Sequence, residues 1–326
     1  MPRKIEISHK TIVFTVVFLI LLWFLVYIKD ILLQLFVSLI IMATLNPYVT
    51  KLNKYKIPRA ASVILVYISA LIIFSLVFLA IIPALVEQTT SFVNNLPKLL
   101  MRLGIPTFIT QQFFSQSISQ LGSIPGQIVK TISSVFSNVF ALLGVLIFSF
   151  YLLIYRDRLD TQLGYFFGGE KKVKFGKMVD TWELKMGGWA RGQATLMFVV
   201  GVMTYVGLKL LGIPFAIPLA ILAGLFEIIP YLGPMLSAIP AVIIGFGISA
   251  ITGFAVSALY FLVQQLENYA LVPSVMKKTV GVNPIITLIA LAVGFRLAGI
   301  LGVFLSVPLV VTLQVFVQEY WSKEKI

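Results

Sequence analysis

The sequence predicts an all-α, polytopic integral membrane protein whose spans are accompanied by short broken or re-entrant helical hairpins. Three observations predict it. Hydrophobic residues make up 59% of the 326 and charged residues only 11%, a balance foreign to soluble domains. The apolar residues gather in runs long enough to cross a bilayer, separated by segments that hold most of the Lys and Arg,. In the last third, prolines, glycines and a carboxylate fall inside the apolar sequence itself, where they break helices.

A formal net charge of +13 raises the question of nucleic acid, but the basic residues form no interleaved patch. They lie between apolar runs, as expected where positive residues mark the cytoplasmic side. The expected surrounding is the lipid bilayer, with no nucleic-acid partner. There is no cysteine, and His9 is the sole histidine, which argues against a zinc site and a histidine-based triad. No Walker A sequence, His-Glu-x-x-His or Gly-x-Ser-x-Gly elbow occurs, so neither ATP hydrolysis nor intramembrane proteolysis is indicated. The expectation is a protein that is not an enzyme and uses neither cofactor nor metal. Arg3, Lys4 and Lys10 precede the first apolar run with no small-residue cleavage site after it, which reads as a retained helix.

Residues 1–82 read as N-terminal transmembrane helices. Residues 12–28 are free of charge, Lys29-Asp30 interrupts, and 31–45 follows until Asn46-Pro47 ends it. A basic loop with Lys51, Lys54, Lys56 and Arg59 precedes the clean run 60–82. Its four cations place the loop in the cytoplasm, and the N-terminus with it if the first two runs form a hairpin. The C-terminus is expected on the same side, in a multi-pass protein of the cytoplasmic (inner) membrane. Residues 83–134, with prolines at 97, 106 and 125, read as an extracytoplasmic amphipathic helical segment, a cap rather than a ligand lid. Residues 135–155 cross back. Residues 156–193, with eight Lys/Arg and five Asp/Glu, read as a cytoplasmic amphipathic segment whose charges form a solvated face near anionic lipid. Residues 194–326 form the C-terminal core.

That core is organised around Glu227-Ile-Ile-Pro-Tyr-Leu-Gly-Pro234. Pro230 and Pro234 remove backbone donors and Gly233 frees the chain, so a helix breaks at or near membrane depth. Broken backbone there must be satisfied by protein or a water-filled cavity. An ionisable residue beside it, Glu227, is a candidate functional group; the plainer alternative is a tight turn at the membrane surface. Within 254–272, Gln264, Gln265, Glu267 and Asn268 spread around one helix, so some must face protein or water. Glu227 and Glu267 are the only acids in the apolar C-terminal half before its tail. They are the candidates for binding a cation or carrying a proton, unless Glu267 sits at the interface.

A weak internal repeat accompanies the break. Pro214 and Gly224 recur as Pro284 and Gly294, and Gly233, Leu236 and Ser237 recur as Gly302, Leu305 and Ser306. The runs 215–229 and 284–295 are short of the roughly 30 Å hydrocarbon core. Units 212–250 and 281–318 therefore read as two hairpins, inverted if Lys277-Lys278 set the direction of the second, or else unrelated. The same offset aligns Glu227 with Arg296 and predicts an ion pair between the units; alternatively Arg296 reaches for headgroups.

Glu227-Ile-Ile-Pro-Tyr-Leu-Gly-Pro234, Gln264-Gln265-Leu-Glu267-Asn268 with Val272-Pro273, and Gly299-Ile-Leu-Gly302 with Ser306-Val-Pro308 resemble the AI-2E family of membrane transporters. Arg191-Gly192-Gln193 and Ile57-Pro58-Arg59 are similar to that family too. The resemblance covers nearly the whole chain and is most specific from Gly187 to Leu309. It implies about eight transmembrane helices, no covalent cofactor, and a homo-oligomer, with a pentamer expected. It implies secondary transport: export of a small polar solute such as autoinducer-2, or alternatively Na⁺(Li⁺)/H⁺ antiport by intramembrane carboxylates. The substrate is then a small molecule or a cation, and residues 83–134 carry no motif that chooses between them.

Overall fold

The computed structural model describes residues 9–102, 139–167, 169–230, 232–276 and 284–321, and their regular structure is helical throughout. The expectations for residues 103–138, which hold most of the 83–134 segment, lie outside these residues, as do Tyr231 and Lys277-Lys278.

Helices α1 (His9–Tyr27) and α2 (Lys29–Lys54) are separated only by Ile28. Ile28 N donates to Phe24 O and Leu32 N to Ile28 O, both at 3.0 Å, so helical bonding runs on through a bend. The expected hairpin of the first two runs is not formed, and α1 buries none of its residues. Helix α2 also continues past Asn46-Pro47, where an end was expected. Pro47 has no N–H to give to Ala43 O. Arg191 Nη1 donates there instead, at 3.2 Å, and to Thr44 O at 3.0 Å. An internal proline is tolerated where another group satisfies the freed carbonyl, and here that group comes from a distant helix.

Helix α3 (Arg59–Arg102) is unbroken over 44 residues; Pro83 and Pro97 lie within it, so the expected limit at 82 is not a helix boundary. Helices α4 (Val139–Phe167) and α5 (Gly169–Leu210) likewise outrun their expected bounds. The charged stretch 156–193 is the end of one long helix and the start of the next. Part of it is drawn into the bundle: Arg156 is 6% exposed, which corrects the expectation of a wholly solvated face.

Three short helices follow: α6 (Ala216–Phe226), α7 (Leu232–Ile248) and α8 (Ala250–Leu266). Ser249 caps α8 by accepting Thr252 N at 3.1 Å, a common way to satisfy a first-turn donor. The chain then widens into a π-turn, Glu267–Leu271, before a last turn Val272–Met276. Pro273 accounts for the widening, because its ring would clash with the carbonyl four residues back in a regular α-turn.

Helix α9 (Pro284–Trp321) is two arms joined at Ala298 and Gly299, where Gly299 takes φ 59 and ψ −138, a conformation essentially reserved for glycine. Ser306 Oγ donates to Ala290 O at 2.9 Å, so the arms run antiparallel as a hairpin. Among the described residues, five helices are long and apolar enough to cross a membrane, and α6, α7 and the two arms of α9 are shorter apolar pieces. This is an all-α, polytopic architecture.

Three buried clusters hold it together. Met42, Val49, Val63, Tyr67 and Leu153 join α2, α3 and α4. Ile40, Ala43, Met186, Trp189, Leu305 and Val311 join α2, the first half of α5 and α9. Leu208, Ala216, Leu219, Ile244, Val256 and Tyr260 join the second half of α5 to α6, α7 and α8. Helix α5 is thus common to two of the clusters. The α9 hairpin rests on α5 and, among the described residues, makes no close backbone approach to α6 or α7.

Candidate functional site

Helices α5 and α6 pack antiparallel because small residues let their backbones meet: a Cβ on Gly201 would lie 3.4 Å from Ala220 O and 3.7 Å from Gly224 Cα. That packing brings Gln193 of α5 beside the end of α6. There the chain turns through Glu227–Pro230 with short-range bonds, Ile229 N to Phe226 O at 2.9 Å and Leu232 N to Pro230 O at 2.8 Å. Helix α7 then leaves so close to α6 that a Cβ on Gly233 would fall on the Phe226 carbonyl; only glycine fits. The carbonyl of Glu227, left over by the broken helix, accepts Gln193 Nε2 at 2.8 Å. The break thus obtains its missing backbone partner from protein, the condition for irregular backbone inside a bilayer.

The side chain of Glu227 is carried inward, 3% exposed, and Glu267 at the head of the π-turn is 5% exposed. Their carboxyls meet within hydrogen-bonding reach. Gln264 Nε2 donates to Glu267 Oε2 at 3.2 Å, while Glu227 Oε2 is buried without a partner. Two carboxylates in contact away from water cannot both remain charged unless a proton or a cation lies between them. Among the described residues no group of three His, Cys, Asp or Glu could hold a metal ion.

The other sequence-predicted residues divide clearly. Pro230 lies in the break, and Gly233 and Pro234 stand in the first turn of α7, with Pro234 O accepting Ser237 Oγ at 2.9 Å. Gln264 reaches the pair. Gln265 is half-buried, and Asn268 is exposed. Arg296 does not meet Glu227: it is exposed, on a hairpin that makes no close backbone approach to α6, and Glu227 faces Glu267 instead. The shared offset marked comparable positions in two hairpins, and the hairpins pack in different places.

A second polar cluster was not anticipated. Arg156 of α4 binds both Asp180 and Glu183 of α5. Asn46 Nδ2 donates to Glu183 Oε1 at 2.5 Å, and Arg59 joins Asn46 Oδ1 at 3.0 Å to Asp157 Oδ2 at 2.7 Å. The network ties α2, α3, α4 and α5 together. It borders a cavity of about 390 Å³ whose walls include Asn46, Arg156, Glu183 and Arg191 but neither Glu227 nor Glu267. Gln193 entered the sequence reading only within Arg191-Gly192-Gln193, with no role of its own.

Several bacterial proteins are similar in sequence along most of the chain. YueF of Bacillus subtilis is 27% identical over 318 residues, covering 90% of this chain and 85% of its own. A protein of Thermotoga maritima is 24% identical over 323 residues, 98% of either chain. YhhT of Escherichia coli is 24% identical over 301 residues, 86% of this chain and 82% of its own. Each is named only as a candidate transport protein, without a cargo. The sequence profile described as AI-2E family transporter matches residues 12–322, a span that takes in both hairpins and both buried carboxyls, and the chain belongs to that family of membrane transporters.

Proposed function

We propose that the protein is a secondary transporter that exchanges a monovalent cation, Na⁺ or Li⁺, for protons at the Glu227–Glu267 pair. The observation that carries this reading is the contact of two buried carboxyls inside an otherwise apolar helical core. Like charges there need a positive partner, and a proton and an alkali cation are alternative partners for one place. Mutual exclusion at one site is what couples the two fluxes. The broken helix beside it provides the irregular backbone that transporters use near their ion sites. In everted vesicles that have been acidified inside, Na⁺ or Li⁺ should release protons. Vesicles carrying Glu227→Gln or Glu267→Gln should not respond. A wild-type proton gradient indifferent to both cations would remove this reading.

Export of a small polar solute such as autoinducer-2 is the second reading, and the cavity favours it. About 390 Å³ walled by guanidinium, carboxylate and amide groups falls in the range of small-molecule sites and suits a polyol-like molecule. Efflux of preloaded solute from the same vesicles, with and without Na⁺, separates the two readings. In either case we take the working form to be a homo-oligomer, with a pentamer expected, in the cytoplasmic membrane. The mass of the detergent-solubilised assembly tests that.

A further inference from the structure

Among the described residues, three buried polar side-chain atoms have no hydrogen-bond partner: Glu227 Oε2, the Thr204 hydroxyl and the Tyr260 hydroxyl. Buried hydroxyls are nearly always paired, so each exception calls for a reason. Thr204 is the more pointed one. Thr15, Thr44, Thr181, Thr195 and Thr312 each donate to the carbonyl four residues back at 2.7–2.8 Å, the usual resort of a helical hydroxyl. Thr204 sits in the same kind of helix, 1% exposed, and leaves that bond unmade.

The register of α5 against α8 shows where these groups lie. Gly207 packs on Leu259, and Gly192 packs on Val275 and Met276, with a Cβ there 2.9 Å from Met276 Sδ. The helices are therefore antiparallel, and Thr204 is level with Val263, about one turn from Tyr260 and one turn from Glu267. Tyr260 and Val263 share the buried stripe of α8, with Glu267 buried just past its end, and Val200, Thr204 and Leu208 share that of α5,. The unpaired hydroxyls thus follow one another away from the carboxyl pair, toward the Leu208 end of α5.

We propose that Thr204 and Tyr260 form a second station for the transported cation, next to the carboxyl pair on the Leu208 side. The inference rests on the exchange reading above. An alkali cation leaving two carboxyls must have its lost hydration replaced by oxygen ligands. Two neutral hydroxyls supply oxygen without a second fixed charge, so they hold the ion loosely enough to pass it on.

The test uses the purified full-length protein in liposomes with a pH-sensitive dye inside. Thr204→Val and Tyr260→Phe remove the hydroxyls while keeping their volume. Each should raise the half-saturating Na⁺ concentration about tenfold, the effect of losing one contact to a charged group, and shift the Na⁺/Li⁺ ratio. Thr204→Ser should recover most of what Thr204→Val loses. Because neither hydroxyl bonds within the fold, both variants should melt in Na⁺-free buffer no lower than the parent. Stabilisation of the melting temperature by Na⁺ should be weakened in both. If half-saturation, ion ratio and Na⁺ stabilisation all match wild type while Glu227→Gln still abolishes exchange, the station is overturned and the exchange reading stands. If the wild-type protein moves no protons on addition of Na⁺ or Li⁺, the exchange reading falls and the station falls with it.

Discussion

Arg156 holds two acids in very different surroundings: the Glu183 side chain is 12% exposed and that of Asp180 is 62% exposed. Arg156→Ala strands Glu183 among buried groups, which typically costs about 3–5 kcal/mol. Asp180→Ala gives up a screened pair worth at most about 1 kcal/mol. Melting temperatures in detergent should therefore fall steeply for the first and barely for the second. Glu227→Gln should behave in the opposite sense. It preserves shape and alters a group whose Oε2 has no partner, so stability should stay within about 1 kcal/mol while cation-driven proton movement disappears. Loss of both fold and activity would reduce Glu227 to a structural residue. The two acids were legible in the sequence because a carboxylate in an apolar run is conspicuous. Their contact was not, since it depends on how α5 sets α6 against α8. Thr204 and Tyr260 gave no signal, because hydroxyls are common in helices, and those of Ser and Thr usually bond to their own backbone.

Gly233 and Gly212 separate two reasons for a glycine at an element's edge. A Cβ on Gly233 would fall on the Phe226 carbonyl and lie 3.3 Å from Glu227 N, so Gly233→Ala must pry α7 from α6 and shift Glu227. It should cost about 3 kcal/mol, the upper end for overpacking, and abolish transport. Gly212 has φ +67 and open space around it, so Gly212→Ala should cost only the left-handed backbone penalty of about 1–2 kcal/mol and leave transport intact. Equal losses of activity in the two variants would mean that the hairpin contact does not position the carboxylate. Proline as a helix stop served well at Pro230, which lies between α6 and α7, whereas Pro234 sits in the first turn of α7. It misled at Pro47, Pro83 and Pro97. For Pro47 the physical reason is visible: the guanidinium of Arg191 replaces the missing donor, and nothing near Pro47 in the sequence announces it. In the charged stretch 156–193, Asp157, Arg158, Lys177 and Asp180 are exposed as expected, whereas Arg156 and Glu183 turn inward, since composition shows charges but not which of them pair inside the bundle.

At the scale of the molecule, the bend at Ile28 decides the topology. Helix α1 has 19 residues, about 28 Å of helix, close to the roughly 30 Å hydrocarbon core. Its apolar side chains are exposed along its whole length. A helix of that kind, prolonged beyond the bundle in line with α2, would carry them into water. Although α1 and α2 form no hairpin in the structure, a turn at Ile28 that laid α1 across the bilayer beside α2 would give them lipid. Lys29 and Asp30, at the turn, would then reach one membrane surface, while Lys51, Lys54, Lys56 and Arg59 crowd at the other. Basic loops stay in the cytoplasm, so the expected arrangement has the α1 start and the 51–59 loop together on that side. The absence of cysteine makes the check direct. A single cysteine at position 10, 30 or 54 is labelled in intact cells with a reagent that cannot cross the membrane, then again after permeabilisation. Position 30 should label from outside, and positions 10 and 54 only after permeabilisation. Outside labelling at 10 with 54 protected would mean that α1 does not turn back, and would put the N-terminus opposite the basic loop. Outside labelling at 54 would invert the whole bundle, and with it the direction in which Thr204 and Tyr260 lead away from the carboxyl pair.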